Sequence, residues 1–469
     1  MALRGVIQMY RAVPMMKHVL SVVILMGCIF IVYKVESAVT LERKILPIEY
    51  STKWMIVTLC LIVMIKLPFY MVNFLGVVFL NNFEKRPKLR HSLLECPFLC
   101  FRVVTRGLYP DLVQKNVQLN LQTCKNLGLK NFVIQVVSDT PIHLSTDENS
   151  KELVVPENYT TKNGTLFKAR ALHYALEPEI DILKPGDWIV HLDEETLLTE
   201  DSLIGVINFA VSKTYSFGQG IITYNNGEIV NWITTLADSI RVGMDYGCIR
   251  LCMKVFHKPL FFFKGSFIVA DAEAEKSVSY DHGPEASIAE DCFFACVAYS
   301  QGFSFGFVEG TMLEQSTFTI HDLVQQRRRW MHGILLTALS NKIPVRNNLG
   351  PIVISLSSCL LPLSLLLSLL MLVSLQPLPP FLKVSSSFIW GTYIFMAIFG
   401  TLKTFDVHQH GFIKCILLVS ATVVCCFLPN VIEYWNSVVI FWQPKLTTSH
   451  FQFHIVKKEN VLKISPKID

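Results

Sequence analysis

Long apolar stretches near both ends of the chain enclose a middle section of different character. The first two run from His18 to Tyr33 and from Trp54 to Leu80. The second is long enough for a membrane helix, which needs about 20 mostly apolar residues. The first follows Arg4, Arg11 and Lys17, and we interpret it as a retained signal-anchor. The chain is apolar again from Gly350 to Leu375, from Phe388 to Leu402 and from Gly411 to about Trp442. We predict two N-terminal spans, at about 18–33 and 54–80, and three or four C-terminal ones.

The middle of the chain shows a pattern of short buried strands that alternate with helices. Strand-like runs begin at Phe101, Phe132 and Trp188. The helical patterns between them cover Asp111–Asn126 and Leu166–Glu177. Such alternation predicts an α/β domain with a mostly parallel sheet. Ligands of such sheets bind beyond the carboxyl ends of the strands, so acidic residues at strand ends are candidates for a site.

Composition supports a membrane protein with several domains. The chain has 469 residues, of which 51% are hydrophobic and 17% charged, and its mean hydropathy is +0.42. These values are too apolar for an ordinary soluble enzyme. None of the thirteen cysteines forms a Cys-x-x-Cys pair, which disfavours a zinc site and predicts reduced, packed thiols. We expect no nucleic-acid partner.

Basic segments predict the orientation of the chain. Lys85, Arg86, Lys88 and Arg90 follow the second apolar stretch, and the positive-inside rule places such residues in the cytosol. The predicted regions are an N-terminal membrane region at 1–80, a basic cytosolic linker at 81–94, an α/β domain at 95–320, an amphipathic interfacial helix at 321–345, a C-terminal membrane region at 346–442 and a basic cytosolic tail at 443–469. The sequons at Asn158 and Asn163 would then stay unglycosylated.

The strand-like run from Trp188 ends in the acidic triplet Asp193-Glu194-Glu195. Its alternate carboxylates, Asp193 and Glu195, have the spacing at which one divalent cation and a bound diphosphate can be shared. An acidic turn before a helix is the alternative interpretation, since Thr199 is a predicted helix cap. Asp139 also follows a strand-like run, so we expect it to converge on the triplet.

A second acidic pair, Glu290-Asp291, precedes an apolar helical pattern. Acidic residues at a helix N-terminus can simply complement the helix dipole, which contributes about 0.3–1 kcal/mol. The functional hypothesis gives Asp291 the proton of an attacking hydroxyl, a role that needs one carboxylate within hydrogen-bond reach.

Gln326, Arg329 and Trp330 form a third cluster. They stand at positions i, i+3 and i+4 of a helical pattern, so they share one face. An indole can stack on a sugar while a guanidinium faces a diphosphate. The arginines at 327–329 could instead contact anionic lipid, because an apolar stripe accompanies them.

In this order, the three clusters resemble the processive and lipid-acceptor branch of the family 2 inverting glycosyltransferases. The longer strings of the middle section are similar to a β-1,4-mannosyltransferase group of that branch. These strings are Phe167–Tyr174, Asp187–Glu200, Asn231–Ser239, Phe256–Phe261, Ala289–Ala295 and Gln325–Trp330. Two departures stand out: Thr105–Asp111 replaces the usual proline and acidic pair of the first loop, and the metal motif has Glu at its third position.

The resemblance implies a GT-A fold, Rossmann-like, with GDP-mannose as donor, glucosylceramide as acceptor and Mn²⁺ or Mg²⁺ as cofactor. We expect a multi-pass protein of the Golgi or endoplasmic reticulum, in contact with the lipid bilayer, and the basic segments described above place its catalytic domain in the cytosol. The residue roles implied are Asp139, Lys168, Arg170, Asp193 and Glu194 for the nucleotide sugar, Asp193 and Glu195 for the metal, Asp291 as the base, and Glu290, Gln326, Arg329 and Trp330 for the acceptor and diphosphate.

Three alternative functions remain open at this point. A processive polysaccharide synthase carries the same three clusters, and another lipid-acceptor glycosyltransferase could use a UDP-sugar. A transporter or membrane scaffold is the non-enzymatic alternative. It is disfavoured because the charged clusters lie in the middle section, outside the apolar stretches.

Overall fold

Two long apolar helices begin the chain, α1 (Ala2–Leu41) and α2 (Tyr50–Phe79). The computed structural model describes residues 2–41, 50–145, 147–224, 229–373 and 379–442. The predicted basic tail at 443–469 lies outside the described residues. Of these, one compact unit contains those within Met1–Lys85, Ser239–Leu251 and Ile352–Pro444, and a second contains those within Arg86–Asp238 and Cys252–Pro351.

Within the described residues of the second unit, seven strands pair into one mixed sheet. The strands are β1 (Leu99–Thr105), β2 (Phe132–Ser138), β3 (Ser150–Val154), β4 (Trp188–Asp193), β5 (Phe217–Thr223), β6 (Ile268–Asp271) and β7 (Phe305–Leu313). Their order across the sheet is β3-β2-β1-β4-β6-β5-β7. β6 is antiparallel to both of its neighbours, and the other pairs are parallel. The predicted mostly parallel sheet is confirmed.

The helices that occur along the chain between the first strand and residue 340 are α3 (Pro110–Leu127), α4 (Phe167–Tyr174), α5 (Glu200–Ser212), α6 (Trp232–Met244), α7 (Ala272–Val278), α8 (Glu290–Ser300) and α9 (Ile320–Leu339). α3 covers the predicted helix. It begins at Pro110 and is capped at its C-terminus by Gly128, which adopts the left-handed conformation with a φ of 83°. α4 is shorter than the predicted Leu166–Glu177. Thr199 caps α5 in a capping box with Ser202, which confirms the predicted cap.

A buried polar network ties the central strands together. Arg102 of β1 donates to Gln135 of β2 over 2.9 Å and lies 3.4 Å from the carboxylate of Glu275 in α7. The other Glu275 oxygen lies 2.6 Å from the ring of His191 in β4. Arg102 and Glu275 have no exposed side-chain surface. Charges this deep must be paired, so the network fixes β4 relative to its neighbours.

The remaining helices are α10 (Val345–Cys359), α11 (Leu361–Val373), α12 (Pro380–Thr404), α13 (Val407–His410), α14 (Phe412–Cys425) and α15 (Phe427–Trp442). Among the described residues, four helices are long and apolar enough to cross a membrane, within Val13–Ala38, Lys53–Phe79, Pro380–Thr404 and Phe412–Ile440. Val345–Cys359 and Leu361–Leu367, bent by 44°, raise the number to five if they form one span.

α12 is the centre of packing in the first unit. Its Gly391 lies so close to Ile29 of α1 that a Cβ would be 2.4 Å from the Ile29 Cα atom. Ser386 and Ser387 of α12 each donate to the Glu36 carboxylate of α1 over 2.8 Å. Small residues that let apolar helices approach, with polar bonds between them, are typical of membrane helix packing.

Candidate active site

The acidic triplet lies on a tight turn at the carboxyl end of β4. The backbone N–H of Thr196 donates to the Asp193 carbonyl over 3.0 Å, and the Asp193 N–H donates to the Thr196 hydroxyl over 3.1 Å. The hydroxyl of Thr105, the last residue of β1, donates to the Glu194 carboxylate. The triplet therefore lies at the carboxyl ends of two neighbouring parallel strands, where α/β sheets bind ligands.

Two buried asparagines of α3 hold this turn from behind. Asn116 donates its amide to the Glu194 carbonyl over 2.8 Å, and Asn120 donates to the Thr196 carbonyl over 3.0 Å. The Asn120 oxygen also accepts from the Leu198 N–H over 2.8 Å. Because Asn116 and Asn120 are four residues apart, one face of α3 fixes both ends of the acidic turn. The sequence analysis assigned neither residue to the site.

Lys168 joins the two predicted acidic clusters. Its ammonium nitrogen lies 2.5 Å from Asp193 Oδ1 and 3.7 Å from Glu290 Oε1, and it donates to the Gly265 carbonyl over 3.1 Å. Burial acts to lower the pKa of Lys168, but the carboxylates of Asp193 and Glu290 outweigh it and hold the pKa above its usual range. Lys168 is therefore a permanent cation between the two clusters.

Asp291 stands beside this lysine in the first turn of α8, as predicted. One carboxylate oxygen accepts from the Cys292 N–H over 2.7 Å. Burial, and next the charge of Glu290, raise the pKa of Asp291 to about 7. At Gly265, a Cβ would lie 3.2 Å from the other Asp291 oxygen. The glycine thus leaves room for this carboxyl, whose pKa is close to neutral pH.

Asp139 and Arg170 form a separate ion pair. Arg170 lies two residues after Lys168 on α4, and its guanidinium is 2.7 Å from Asp139 Oδ1 and donates to the Tyr159 carbonyl over 3.2 Å. Asp139 directly follows β2, at the same edge of the sheet as the triplet. Lys168 and Arg170 thus bind different acids. The structure gives Asp139 a basic partner that the sequence analysis did not foresee.

The third predicted cluster lies on α9, which packs against the start of α8. A Cβ at Gly333 would be 2.5 Å from the Cβ of Ala289, the residue before Glu290. The Gln326 amide oxygen is buried and has no hydrogen-bond partner among the described residues. A buried acceptor of this kind normally has a partner, so this atom is suited to receive a ligand hydroxyl.

Arg327, on the same helix, contacts a protein carboxylate and the Trp330 ring. Its guanidinium lies 2.5 Å from a carboxylate oxygen of Asp238 and 4.4 Å from the centre of the Trp330 ring. Both contacts orient the indole, because the ion pair holds the guanidinium and the cation stacks on the ring. The alternative that 327–329 are all lipid-facing arginines is therefore wrong for Arg327.

The acidic turn can hold a divalent cation only together with a ligand. No group of three His, Cys, Asp or Glu side chains that could hold a metal ion occurs in the part of the chain that the structure describes. Asp193 and Glu195 offer hard carboxylate oxygens, and Mg²⁺ is commonly held by one or two carboxylates plus substrate phosphates. The residues present fit an ion shared with a diphosphate.

Comparisons with known proteins identify a family whose matched region contains all three clusters. Residues 188–405 match the family described as glycosyl transferase family group 2. The chain is 45% identical over 401 residues to the β-1,4-mannosyltransferase egh of Drosophila melanogaster, covering 84% of this chain and 86% of that protein. It is 47% identical over 370 residues to the β-1,4-mannosyltransferase bre-3 of Caenorhabditis elegans, covering 77% and 80%.

Solved structures give fainter likenesses. Residues 1–349 of S. aureus TarS are 11% identical, with 67% of this chain and 92% of that chain covered, at a TM-score of 0.32. Mannosyl-3-phosphoglycerate synthase from Rubrobacter xylanophilus is 13% identical, with 52% and 73% covered, at a TM-score of 0.29. Likenesses this slight carry no argument about the chain.

The family predicted from the sequence is confirmed by the curated relatives, which match most of both chains. The mixed, mostly parallel sheet with its acidic turn is the GT-A-like fold that this family implies. The chain is a glycosyltransferase, and it belongs to family 2, in the group that contains egh and bre-3.

Proposed function

We propose that this protein transfers mannose from GDP-mannose to glucosylceramide and forms mannosyl-β-1,4-glucosylceramide. The observation that carries the proposal is the position of Lys168, which brings Asp193 of the acidic turn next to the Glu290-Asp291 pair. A diphosphate site and a candidate base then lie side by side. The relatives named β-1,4-mannosyltransferases support the sugar and the linkage, and the resemblance of the sequence supports the donor and acceptor.

On the donor side, Asp193 and Glu195 would hold Mg²⁺ or Mn²⁺ together with the diphosphate. When bound, the ion supplies positive charge that stabilises the leaving group. Lys168 adds a fixed cation at the same place, within 2.5 Å of Asp193. Glu194 and the Asp139–Arg170 pair lie at the same edge of the sheet and would contact the nucleotide sugar. Fixed charges aimed at the developing negative charge favour the transition state.

On the acceptor side, Asp291 would act as the base. It takes the proton of the attacking hydroxyl while that oxygen bonds to the anomeric carbon and the bond to the diphosphate breaks. The electron pair of that bond leaves with GDP, so one displacement inverts the configuration. A base with a pKa close to the working pH suits this step, and the pKa of Asp291 is raised to about 7.

The sugar of the acceptor would rest against α9. The buried Gln326 oxygen needs a donor, and a sugar hydroxyl supplies one. Trp330, held in place by Arg327, offers an indole face on which a sugar ring can stack. Arg329 and Glu290 would complete the acceptor and diphosphate side.

The catalytic domain would face the cytosol, within a membrane protein of the Golgi or endoplasmic reticulum. The proposed arrangement is the one predicted above, with the catalytic domain at 95–320 and the α9 region at 321–345 on the bilayer surface. The Asn163 sequon supports it: the Asn163 amide donates to the Asp281 carbonyl over 2.7 Å, and the buried Thr165 hydroxyl donates to the Asp281 carboxylate over 2.9 Å. The Asn163 and Thr165 side chains therefore both form hydrogen bonds within the fold, and a glycan on Asn163 would compete with the bond that its amide makes.

The decisive experiment supplies the detergent-solubilised protein with Mn²⁺ or Mg²⁺, glucosylceramide and either GDP-mannose or UDP-sugars. Mass spectrometry of the lipid is the measurement. We expect one added hexose, from GDP-mannose only. Transfer from a UDP-sugar alone would replace the donor, and a ladder of products would identify a processive synthase.

Asp291→Asn should reduce kcat by at least ~100-fold, because a general base contributes about 10²–10⁴-fold. Binding of GDP-mannose, measured by calorimetry, should be unchanged, since the base acts on the acceptor. Asp201→Asn is the matched control, because Asp201 is a first-turn acid of α5. If Asp291 only complements the helix dipole, both variants will keep near-normal turnover.

The pH profile should report the same carboxyl. Only the ionised form accepts a proton, so kcat/KM for the acceptor should rise with pH through about 7, the pKa of Asp291. The free energy of unfolding should change in the opposite direction and fall as the pH rises. The pKa is raised above its unfolded value, so the contribution of Asp291 is complete at low pH and is lost as pH rises towards 7. Melting scans of wild type and Asp291→Asn from pH 4 to 7 measure the difference; parallel curves would contradict it.

Removal of N-glycans should leave the electrophoretic mobility of the full-length protein unchanged, because the sequons at Asn158 and Asn163 would face the cytosol. A luminal glycoprotein from the same cells is the control for the enzyme. A mobility shift that disappears in Asn163→Gln would place the domain in the lumen and reverse the proposed orientation.

A further inference from the structure

A buried carboxylate outside the predicted site, Glu314, lies behind the acidic turn. We propose that Glu314 is a positioning residue which, through the Thr196 hydroxyl, holds the Asp193–Glu195 turn in the form that receives the donor diphosphate. This inference deepens the proposed function and rests on it. Glu314 itself touches neither donor nor acceptor in this account, because its contact is with the turn.

The hydroxyl of Thr196 is the centre of a small buried network. It donates to Glu314 Oε1 over 2.7 Å and accepts from the Asp193 N–H over 3.1 Å. The Ser266 hydroxyl lies 2.8 Å away, and it also accepts from the Asp193 N–H, over 3.3 Å. Thr196 and Ser266 are almost fully buried, and Glu314 is 7% exposed. Water is therefore a poor substitute for any member of the network.

Glu314 fixes the direction of these hydrogen bonds. Glu314 Oε1 accepts the hydrogen of the Thr196 hydroxyl, and each hydroxyl has only one hydrogen to donate. Once Thr196 gives its hydrogen to Glu314, its lone pairs are left for Asp193 N–H and for the Ser266 hydroxyl. The network then has a single arrangement, and in it the backbone of Asp193 is held at the start of the turn.

Backbone pairing places Glu314 next to Thr196. Leu197 and Leu313 form an antiparallel bridge, with hydrogen bonds of 2.8 Å and 3.0 Å. Leu197 directly follows Thr196, and Leu313 directly precedes Glu314. The Glu314 N–H also donates to the carbonyl of Thr223 at the end of β5 over 2.9 Å. β5 and β7 therefore fix the position of the Glu314 carboxylate, and this carboxylate fixes the conformation of the Asp193–Glu195 turn through Thr196.

The test uses the full-length protein in detergent with five single variants and the Glu314→Ala/Thr196→Val double variant. Glu314→Ala and Thr196→Val each remove the link. Glu314→Gln and Thr196→Ser keep a hydrogen-bonding group in place and serve as rescue variants. Glu309→Ala is the matched control, because Glu309 lies on β7, the strand that directly precedes Glu314, and its partly exposed side chain pairs with Arg90.

Each preparation is measured in two ways. Transfer assays give kcat and the KM values for GDP-mannose and glucosylceramide. A second assay, independent of transfer, records the rise in melting temperature when GDP and Mn²⁺ are added together.

Glu314→Ala and Thr196→Val should each raise the KM for GDP-mannose about tenfold or more, since the loss of a partner that leaves a buried polar group unsatisfied has an effect of this order. The KM for glucosylceramide should be unchanged, and the melting response to GDP with Mn²⁺ should be lost. The double variant should be no worse than the worse single one, because both changes break one link. The rescue variants and Glu309→Ala should behave as wild type.

Three results would overturn the inference: an unchanged KM for GDP-mannose in Glu314→Ala, additive effects in the double variant, or equal increases in both KM values, which indicate general loss of structure. Failure of the proposed function has a different signature. In that case the wild-type protein makes no product from GDP-mannose, while the melting response to GDP with Mn²⁺ still shows whether Glu314 holds the turn.

Discussion

The position of Lys168 between two acidic clusters is the interaction on which the site depends. Asp193 at the end of β4 and Glu290 at the start of α8 come within 2.5 Å and 3.7 Å of one ammonium group. Without that cation, carboxylates from two elements would face each other in a partly buried space, and like charges there are strongly unfavourable. Lys168 therefore lets the acids of the sheet edge and of α8 lie close together.

Close approach also requires small residues at two points. Gly265 leaves space beside Asp291 and Lys168, and Gly333 brings α9 against Ala289. A side chain at either point would meet atoms of the site within about the normal contact distance, and packed interiors transmit such displacements. The acids, the lysine and the α9 cluster are thus held by backbone contacts as much as by their own hydrogen bonds. The geometry of the site is a property of the fold.

The sequence predicts the strands and the acids at their ends better than the long-range contacts between side chains of the site. β1, β2 and β4 were predicted because their apolar runs are short and bounded, and Asp193 and Asp291 because they stand where an apolar element ends or begins. The partner of Lys168 lies 122 residues away at Glu290, and no local pattern encodes such a contact. Thr196 and Glu314 look like ordinary polar residues in the sequence. The paired asparagines of α3 left a weak signal, two amides on a face that is otherwise apolar.

The roles of the acids follow from their surroundings. Asp193 is paired directly with the Lys168 ammonium group and stands on a half-buried turn, where in the proposed reaction it would share an ion with the diphosphate. Asp291 is packed against Gly265, and burial with the neighbouring charge of Glu290 brings its pKa to about 7. In the proposed reaction, the ion-paired carboxylate of Asp193 would serve as a ligand, and Asp291, whose pKa is raised, would serve as the base. The residue type is the same in both cases, so the proposed difference in role rests on the different neighbours of the two carboxyl groups.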